Sequence, residues 1–247
     1  MILPASLRPW LPWARVTDRP RLRILAFPFA GGGASIYRPW LDSFPTDIDV
    51  LPVQLPGREN RINETPLTQL DQVADVLMTA LAPLLNRPLV LFGWSMGALI
   101  AHALALRLTA RTTPPELLMV GAHAAPQLPA IYPPLHHLSG DAFWNELRRY
   151  QGVPDAVLEH AELRALIEPM ALADFRIVEV RTPPALHGLT CPIAAIGGAE
   201  DPWVPAERLR PWRDMTTGPF SLTQIPGHHF LITQTPTVLR QTVLELL

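Results

Sequence analysis

The chain has 247 residues, of which 48% are hydrophobic and 17% are charged, and this composition excludes an intrinsically disordered protein. Its length allows one sizeable α/β domain with an insertion, or two small domains. The formal net charge of −2 offers no electrostatic footprint for binding nucleic acid. The single cysteine, Cys191, cannot form an intrachain disulfide, which favours the cytoplasm as the compartment.

Strand-like apolar runs alternate along the chain with patterns of helical spacing. After an irregular arm over residues 1–20, with a short edge strand near 13–16, the apolar runs predict strands at 23–29, 49–55, 89–92, 117–121, 192–197 and 220–225. The helical patterns lie at 37–44, 67–85, 98–108, 206–214 and 235–247. This alternation predicts an α/β fold with a mostly parallel central sheet and helices on both faces.

A glycine-rich segment, Ala30-Gly31-Gly32-Gly33-Ala34-Ser35, follows the first predicted strand. Glycines after a strand allow the backbone to approach a ligand closely. A phosphate-binding loop fits poorly, because no Lys-Ser/Thr follows the glycines and the Gly-x-Gly-x-x-Gly spacing is missing. We therefore interpret the segment as the oxyanion loop of an α/β-hydrolase, with a plain flexible turn as the alternative.

The stretch between Arg87 and Arg107 carries no formal charge when His102 is neutral, so hydropathy alone suggests a membrane span. The stretch contains Gly93-Trp94-Ser95-Met96-Gly97, however, which has the form Gly-x-Ser-x-Gly between a predicted strand and a predicted helix. A sharp strand-to-helix turn needs small flanking residues, and it lifts the central side chain to the carboxyl edge of the sheet. This context favours Ser95 as a nucleophile over a membrane span or a chance surface motif.

Residues from about 127 to 188 interrupt the alternation, because helical patterns at 138–150 and 155–179 follow one another without a strand between them. An insertion after the strand that follows the nucleophile helix is expected to form a helical lid over the active site, within a single domain spanning residues 1–247. Its apolar side chains either line an acyl pocket or pack the lid helices together: Phe143, Trp144, Leu147, Tyr150, Met170 and Phe175.

A serine nucleophile needs an adjacent base, usually a histidine that a carboxylate orients. In α/β-hydrolases the acid and then the histidine follow the serine, at the ends of later strands. Asp201 follows the fifth predicted strand and is the preferred acid, with Glu200 as the alternative. His229 follows the sixth and is the preferred base, with His228 as the alternative. The predicted triad is therefore Ser95, Asp201 and His229.

The remaining histidines and the cysteine are interpreted as structural. We expect His102, on the buried helix, to be a core residue with its hydrogen bonds satisfied, and His123 to line the pocket or support the lid. Cys191 is expected to be a buried thiol rather than a nucleophile. No spacing of His, Cys and Asp suggests a metal site.

Several segments together carry a resemblance that covers nearly the whole chain. They are Phe27-Pro28-Phe29-Ala30-Gly31-Gly32-Gly33, Gln54-Leu55-Pro56-Gly57-Arg58, Gly93-Trp94-Ser95-Met96-Gly97-Ala98, Gly152-Val153-Pro154, Asp174-Phe175, and residues 192–202 and 212–230. Through them the chain resembles the type II thioesterases, the stand-alone editing hydrolases that accompany nonribosomal peptide and polyketide synthases. This combination is far more specific than the serine motif alone.

The resemblance implies an α/β-hydrolase that clears stalled or wrong acyl groups from the phosphopantetheine arm of acyl or peptidyl carrier protein domains. It assigns the catalytic roles to Ser95, Asp201 and His229, and the oxyanion donors to the N–H groups of Ala30 and Met96. We expect a cytoplasmic monomer with no cofactor or metal of its own and no nucleic-acid or membrane partner. The lid and Arg58 or Arg61 are candidate contacts for an acidic carrier; otherwise the two arginines are ordinary solvated side chains or form internal ion pairs.

The chain departs from the pattern of this family at three places. Trp94 stands where histidine is common, His228 where glycine is common, and Ala122-His123-Ala124 replaces a more polar stretch. These departures put the substrate preference in question. A carboxylesterase that cleaves acyl esters is the alternative activity, because Gly-Trp-Ser-x-Gly also occurs there. A second alternative is not an enzyme at all: a protein with the hydrolase fold that binds a ligand and catalyses no reaction.

Overall fold

The computed structural model describes residues 3–150 and 152–247, so residues 1 and 2 of the predicted arm and residue 151 of the predicted lid lie outside the described residues. Six strands form one sheet in the order β2-β1-β3-β4-β5-β6, and every neighbouring pair is parallel. The strands are β1 Leu22–Phe27, β2 Ile48–Pro52, β3 Leu89–Trp94, β4 Leu117–Gly121, β5 Ile193–Gly198 and β6 Phe220–Ile225. The predicted α/β fold with a mostly parallel sheet is confirmed.

Eight α-helices accompany the sheet in the described residues. They are α1 Leu70–Ala80, α2 Met96–Ala110, α3 Gly140–Arg148, α4 Asp155–Glu159, α5 Ala161–Glu179, α6 Ala206–Leu209, α7 Leu231–Gln234 and α8 Pro236–Glu245. The helix predicted at 37–44 is instead a 3₁₀ helix, Ala34–Trp40, and the one predicted at 206–214 continues beyond α6 as a 3₁₀ helix, Arg210–Met215. Both 3₁₀ helices contain a proline, which cannot donate the backbone hydrogen bond of a regular helix.

Two other sequence expectations about local structure were wrong. The predicted edge strand at 13–16 does not form, because side chains rather than a strand ladder hold this segment: Arg38 lies over the Trp13 ring, 4.4 Å from its centroid, and Asp49 accepts the N–H of Thr17. The helix predicted at 155–179 is divided between α4 and α5 at His160, whose φ of −106° and ψ of 110° are extended.

The sheet is buried on both faces, as expected for parallel strands between helices. Consecutive strand residues point to opposite faces, so Leu91 of β3 packs in the cluster that contains α1 and α2 residues. Its neighbours Val90 and Phe92 pack in the cluster that contains Trp40 and residues of α8. This two-sided packing holds β3 rigidly in the middle of the sheet.

Helices α3, α4 and α5 occupy the predicted insertion between β4 and β5, and they have a hydrophobic cluster of their own. Trp144 of α3 donates its indole N–H to Glu168 of α5 at 2.7 Å. Arg164 of α5 pairs with Asp141 of α3 at 3.0 Å. These helices therefore pack on one another as a unit above the carboxyl ends of β4 and β5.

The uncharged stretch around Ser95 consists of strand β3, a tight turn and helix α2, as the sequence motif predicted. In the described part of the chain, no helix combines the length and the apolar character needed to cross a membrane.

Candidate active site

Ser95 occupies the sharp turn between β3 and α2, with a φ of 53° and a ψ of −117° that an L-residue rarely adopts. The two flanking glycines make this turn possible. A Cβ on Gly93 would lie 2.0 Å from the carbonyl oxygen of Gly97, and a Cβ on Gly97 would lie 2.1 Å from that of Phe27. Larger residues at either position would therefore force the turn open.

The structure brings Ser95, His229 and Asp201 together, although 134 residues separate the serine from the histidine. Ser95 Oγ lies 3.3 Å from His229 Nε2, and His229 Nδ1 lies 2.8 Å from Asp201 Oδ2. This is the order of contacts that a nucleophile, a base and an orienting acid require. The histidine sits on the loop after β6 and the aspartate on the loop after β5, so both reach the same edge of the sheet.

Asp201 is buried and held as a carboxylate by several donors. Burial by itself would raise the pKa of Asp201, but hydrogen bonds from His229 and from the N–H groups of Trp203 and Val204 outweigh that effect and lower the pKa. The alternative acid, Glu200, instead accepts the N–H of Gly227. The geometry therefore brings Asp201, and not Glu200, to the histidine.

The alternative base, His228, contacts Glu200, whereas the histidine that contacts Ser95 is His229. The Nδ1 of His228 lies 2.9 Å from the carbonyl oxygen of Glu200, and the side chain is exposed. His229, in contrast, packs edge-on against the rings of Trp203 and Phe230, with centroids 5.2 and 5.1 Å away. These aromatic rings hold the imidazole in place beside Ser95.

Trp94 supports the histidine loop from below. Its side chain is fully buried, and its indole N–H donates to the backbone carbonyl of His229 at 2.9 Å. Gly121 makes room for the ring, because a Cβ there would lie 2.1 Å from it. Trp94 is not among the residues that line the cavity at Ser95. This departure from the family pattern therefore contacts the His229 loop and lies outside the cavity wall.

We expect the substitution Trp94→Phe to lower kcat about tenfold and to leave KM nearly unchanged. The phenyl ring keeps most of the packing, but the His229 carbonyl loses its buried donor, and small displacements of reacting groups are costly. Steady-state kinetics on a thioester test this. Trp212→Phe is the matched control, because it removes a similar buried indole hydrogen bond, to the His123 carbonyl at 2.8 Å. Equal losses of kcat in both variants would contradict a specific role for Trp94.

The predicted oxyanion loop lies beside the serine, and Phe29, Ala30 and Gly31 line the same cavity as Ser95. Within the described residues, neither Ala30 nor Met96 donates its backbone N–H to a protein acceptor. Both groups are thus available to an oxygen bound near Ser95, and their catalytic role remains a prediction. The N–H of Gly31 differs from these two, because it already donates to Asp174 on α5 at 2.8 Å.

Arg58 and Arg61 do not form a carrier-binding surface, and that expectation was wrong. Both arginines are buried in internal ion pairs, the alternative that the sequence left open. Arg58 makes a bidentate contact with Asp174, in which both N···O distances are 2.7 Å. Arg61 donates to Glu64 at 2.8 Å and lies over the ring of Trp10. The first of these pairs ties the loop after β2 to lid helix α5.

We expect Asp174→Asn to destabilise the fold by about 3–5 kcal/mol, because it leaves the buried Arg58 guanidinium without its counter-ion. Urea unfolding monitored by tryptophan fluorescence measures this. Asp141→Asn is the control: its ion pair with Arg164 is 85% exposed on the aspartate side, so its loss should cost only about 0.2–1 kcal/mol. Similar destabilisation by the two substitutions would count against a structural role of the buried pair.

A cavity of about 440 Å³ opens at Ser95 and His229, between the sheet edge and the lid. Its lining is mostly apolar. Of the lid residues proposed for an acyl pocket, four line it, namely Trp144, Leu147, Tyr150 and Phe175. Phe143 and Met170 are buried but do not line it; they pack within the protein instead. Apolar walls of this kind suit an acyl chain.

His123 also lines the cavity; its carbonyl accepts the indole N–H of Trp212, and its Nδ1 lies 2.6 Å from the carbonyl oxygen of the neighbouring Ala124. Burial, reinforced by the positive charge of Arg181, lowers the pKa of His123 to about 3. His102 is buried against Trp212, and burial lowers its pKa to about 4. Its Nε2 has no hydrogen-bond partner in the described structure, so the expectation of a satisfied core histidine was wrong. Both imidazoles are neutral at physiological pH.

Cys191 is a buried thiol, as expected, and burial raises its pKa to about 11. It lies in the core cluster on the α1 and α2 side of the sheet. In residues 3–150 and 152–247, no group of three or more His, Cys, Asp or Glu side chains is placed to hold a metal ion.

Known proteins similar to this chain include several thioesterases. Residues 22–244 match the family model of the thioesterase domain. Gramicidin S biosynthesis protein GrsT of Aneurinibacillus migulanus is 38% identical over 230 residues, which cover 92% of this chain and 90% of that protein. The type II thioesterase BorB from the borrelidin biosynthetic cluster is 33% identical, with a TM-score of 0.82 and 94% of each chain covered. RedJ, the thioesterase of the prodiginine pathway of Streptomyces coelicolor, is 32% identical, with a TM-score of 0.83 over 96% of this chain and 98% of that one.

Proposed function

The chain belongs to the thioesterase family, and on that premise we propose that Ser95, His229 and Asp201 form the catalytic triad with which it hydrolyses acyl groups on carrier proteins. Its relatives include type II thioesterases of polyketide and nonribosomal peptide clusters. The observation that carries the proposal is the continuous line of contacts Ser95–His229–Asp201, at 3.3 and 2.8 Å, on the wall of an apolar cavity beneath a helical lid.

The proposed reaction begins when Ser95 Oγ attacks the thioester carbonyl carbon and His229 Nε2 takes the hydroxyl proton. The Asp201 carboxylate accepts the Nδ1–H of His229 and stabilises the imidazolium that forms. The negative oxygen of the tetrahedral intermediate is bound by the N–H groups of Ala30 and Met96. When the C–S bond breaks, the imidazolium returns its proton to the leaving thiolate.

The second half of the reaction releases the acid. A water molecule gives a proton to His229 Nε2 and adds to the carbonyl of the acyl-enzyme. The new tetrahedral intermediate expels Ser95 Oγ, which recovers the proton from His229. The products are a free carboxylic acid and the thiol, so one bound acyl group is removed for each water consumed. Side chains and backbone of this chain supply every catalytic group in this scheme.

The proposed partner is an acyl or peptidyl carrier protein, whose phosphopantetheine arm carries the thioester. We place the encounter in the cytoplasm, in keeping with a single, buried cysteine, and propose that the enzyme acts as a monomer. Docking of the carrier supplies binding energy away from the reacting carbonyl, and such energy can position the thioester for attack. The carrier-bound thioester should therefore be the better substrate.

We expect kcat/KM for acyl-carrier protein to exceed that for the same acyl group on free coenzyme A by at least about tenfold. The measurement compares several acyl groups loaded on carrier, on coenzyme A and as simple esters. Ser95→Ala enzyme corrects each rate for spontaneous hydrolysis. Equal kcat/KM for carrier-bound and free thioesters would refute carrier recognition. Faster cleavage of the simple esters would identify a carboxylesterase instead.

A further inference from the structure

The catalytic cavity contains charge that an apolar acyl chain does not need. Three of its lining residues are charged at neutral pH apart from the triad: Glu179 and Arg181, at and just beyond the end of α5, and Arg208 on α6. They share this cavity with Ser95 and His229. Their hydrogen bonds decide which of the three charges is available to a bound molecule.

Both carboxylate oxygens of Glu179 already accept hydrogen bonds from residues 135 and 136. Its Oε1 accepts the N–H of Leu135 at 2.8 Å, and its Oε2 accepts the N–H of His136 at 2.9 Å. The same Oε2 lies 2.7 Å from His136 Nδ1. The carboxylate therefore holds the backbone at 135–136 and does not neutralise either arginine.

Arg181 and Arg208 form no ion pair with any carboxylate in the described residues. Arg181 donates to the carbonyl oxygens of Val178 and Pro126, and Arg208 donates to that of Pro129 at 2.6 Å. A guanidinium has more N–H donors than these carbonyls use, and a carbonyl does not cancel its charge. Both side chains thus keep donors and positive charge at the cavity.

Arg181 and Arg208 are half-buried, and the arginines that are more deeply buried have carboxylate partners. Arg23, Arg58 and Arg61 are the most buried arginines, and each is paired with a carboxylate. Partial burial of a guanidinium without a counter-ion costs free energy, and burial lowers the pKa of Arg181. The positive charges of Arg181 and Arg208 also reach His123 on the cavity wall and help to lower its pKa. A negatively charged group bound here would offset this cost.

We propose that the cavity accepts acyl groups that carry a second, free carboxylate, which Arg181 and Arg208 bind while the thioester carbonyl lies at Ser95. The proposal rests on the proposed thioesterase function and names the substrate class of the same site. Guanidinium groups bind carboxylates through paired, charge-assisted hydrogen bonds, and such bonds are strongest where water is largely excluded. Dicarboxylic acids bound to the carrier through one carboxyl group have this structure.

The test compares coenzyme A thioesters of matched chain length, which makes the result independent of carrier recognition. The pairs are succinyl with butyryl, glutaryl with valeryl, and adipyl with hexanoyl coenzyme A, and thiol release gives kcat/KM. Ser95→Ala enzyme provides the rate of spontaneous hydrolysis. For at least one chain length we expect a preference of roughly tenfold or more for the dicarboxylic acyl group, as for a hydrogen-bonded charge pair.

Substitutions of Arg181 and Arg208 test whether these two residues cause the preference for dicarboxylic acyl groups. In Arg181→Met and Arg208→Met the ratio of dicarboxylic to monocarboxylic kcat/KM should fall several-fold, and in the double variant it should fall to about one or below. Arg176→Met is the matched control, because Arg176 is exposed on lid helix α5, shortly before Arg181, and does not line the cavity. The ratio in this control should equal that of the wild type.

Wild-type enzyme alone provides a second measurement, in case the variants fail to fold. Free glutarate or adipate should inhibit hydrolysis of hexanoyl coenzyme A at lower concentration than hexanoate does. If the wild type prefers the monocarboxylic member of every pair, or if the arginine variants keep the wild-type ratio, the proposal is wrong. If no thioester is hydrolysed faster than by Ser95→Ala enzyme, the proposed function itself fails.

Discussion

Replacing Ser95 by alanine is expected to lower kcat by roughly 10⁴–10⁶-fold, the range found for serine nucleophiles in other triads. The substitution removes only Oγ, which is 3.3 Å from His229 Nε2. Alanine occupies the strained turn between Gly93 and Gly97 as readily as serine does, so circular dichroism and thermal unfolding should be unchanged. Single-turnover hydrolysis of a carrier-bound acyl group measures the effect. Turnover close to that of the wild type would exclude Ser95 as the nucleophile.

Covalent labelling distinguishes an enzyme from a binding protein of the same fold. A fluorophosphonate probe reacts with a serine only when a base activates its hydroxyl group. We expect labelling at Ser95 in the wild type, found by peptide mass spectrometry, and none in Ser95→Ala. A folded wild-type protein that takes up no label would support the binding protein, because its serine would then lack an activating base.

The nucleophile turn could be predicted from the sequence because the residues that make it are neighbours in the chain. Gly93 and Gly97 stand within two residues of Ser95, and Gly93 leaves space for Gly97 itself, although Gly97 leaves space for the more distant Phe27 of β1. The strand on one side and the helix on the other are each apparent from a short apolar run. The same reasoning covers β4 and β6, whose predicted bounds match those of the structure.

Contacts between distant parts of the chain could not be predicted in this way. The partner of Arg58 is Asp174, which lies 116 residues later, and no local pattern says that a lid helix brings it within 2.7 Å. The role of Trp94 was missed for the same reason, because its indole donates to a carbonyl 135 residues later. In both cases only the tertiary fold reveals which distant group pairs with the side chain.

The sequence pattern also failed to predict where the lid helices begin and end, for a different reason. A helical pattern runs through residues 155–179, and Pro169 is the residue within it most expected to interrupt a helix. The chain instead turns at His160, whose carbonyl accepts the N–H of Arg164, and continues through the proline as α5. Packing of α5 on the other lid helices thus outweighs local propensity, as tertiary contacts commonly do.

Replacing Asp201 by asparagine is expected to lower kcat by about 10⁴-fold, the loss seen when the orienting aspartate of a serine triad becomes an amide. The asparagine keeps the shape of the side chain and can still accept the N–H groups of Trp203 and Val204. It removes the negative charge 2.8 Å from His229 Nδ1, and its amide can hold the histidine in the wrong tautomer. The imidazolium of the transition state then has no counter-ion.

The neighbouring carboxylate provides the control for this substitution. Glu200 accepts the N–H of Gly227 and does not touch His229, so Glu200→Gln can keep its hydrogen bond. We expect its kcat to stay within a few-fold of the wild type, measured with the same acyl-carrier substrate and at the same pH. Donors to its carboxylate lower the pKa of Asp201, so this carboxylate should stay ionised below neutral pH in the wild type. A larger loss of kcat in Glu200→Gln than in Asp201→Asn would transfer the role of the acid to Glu200.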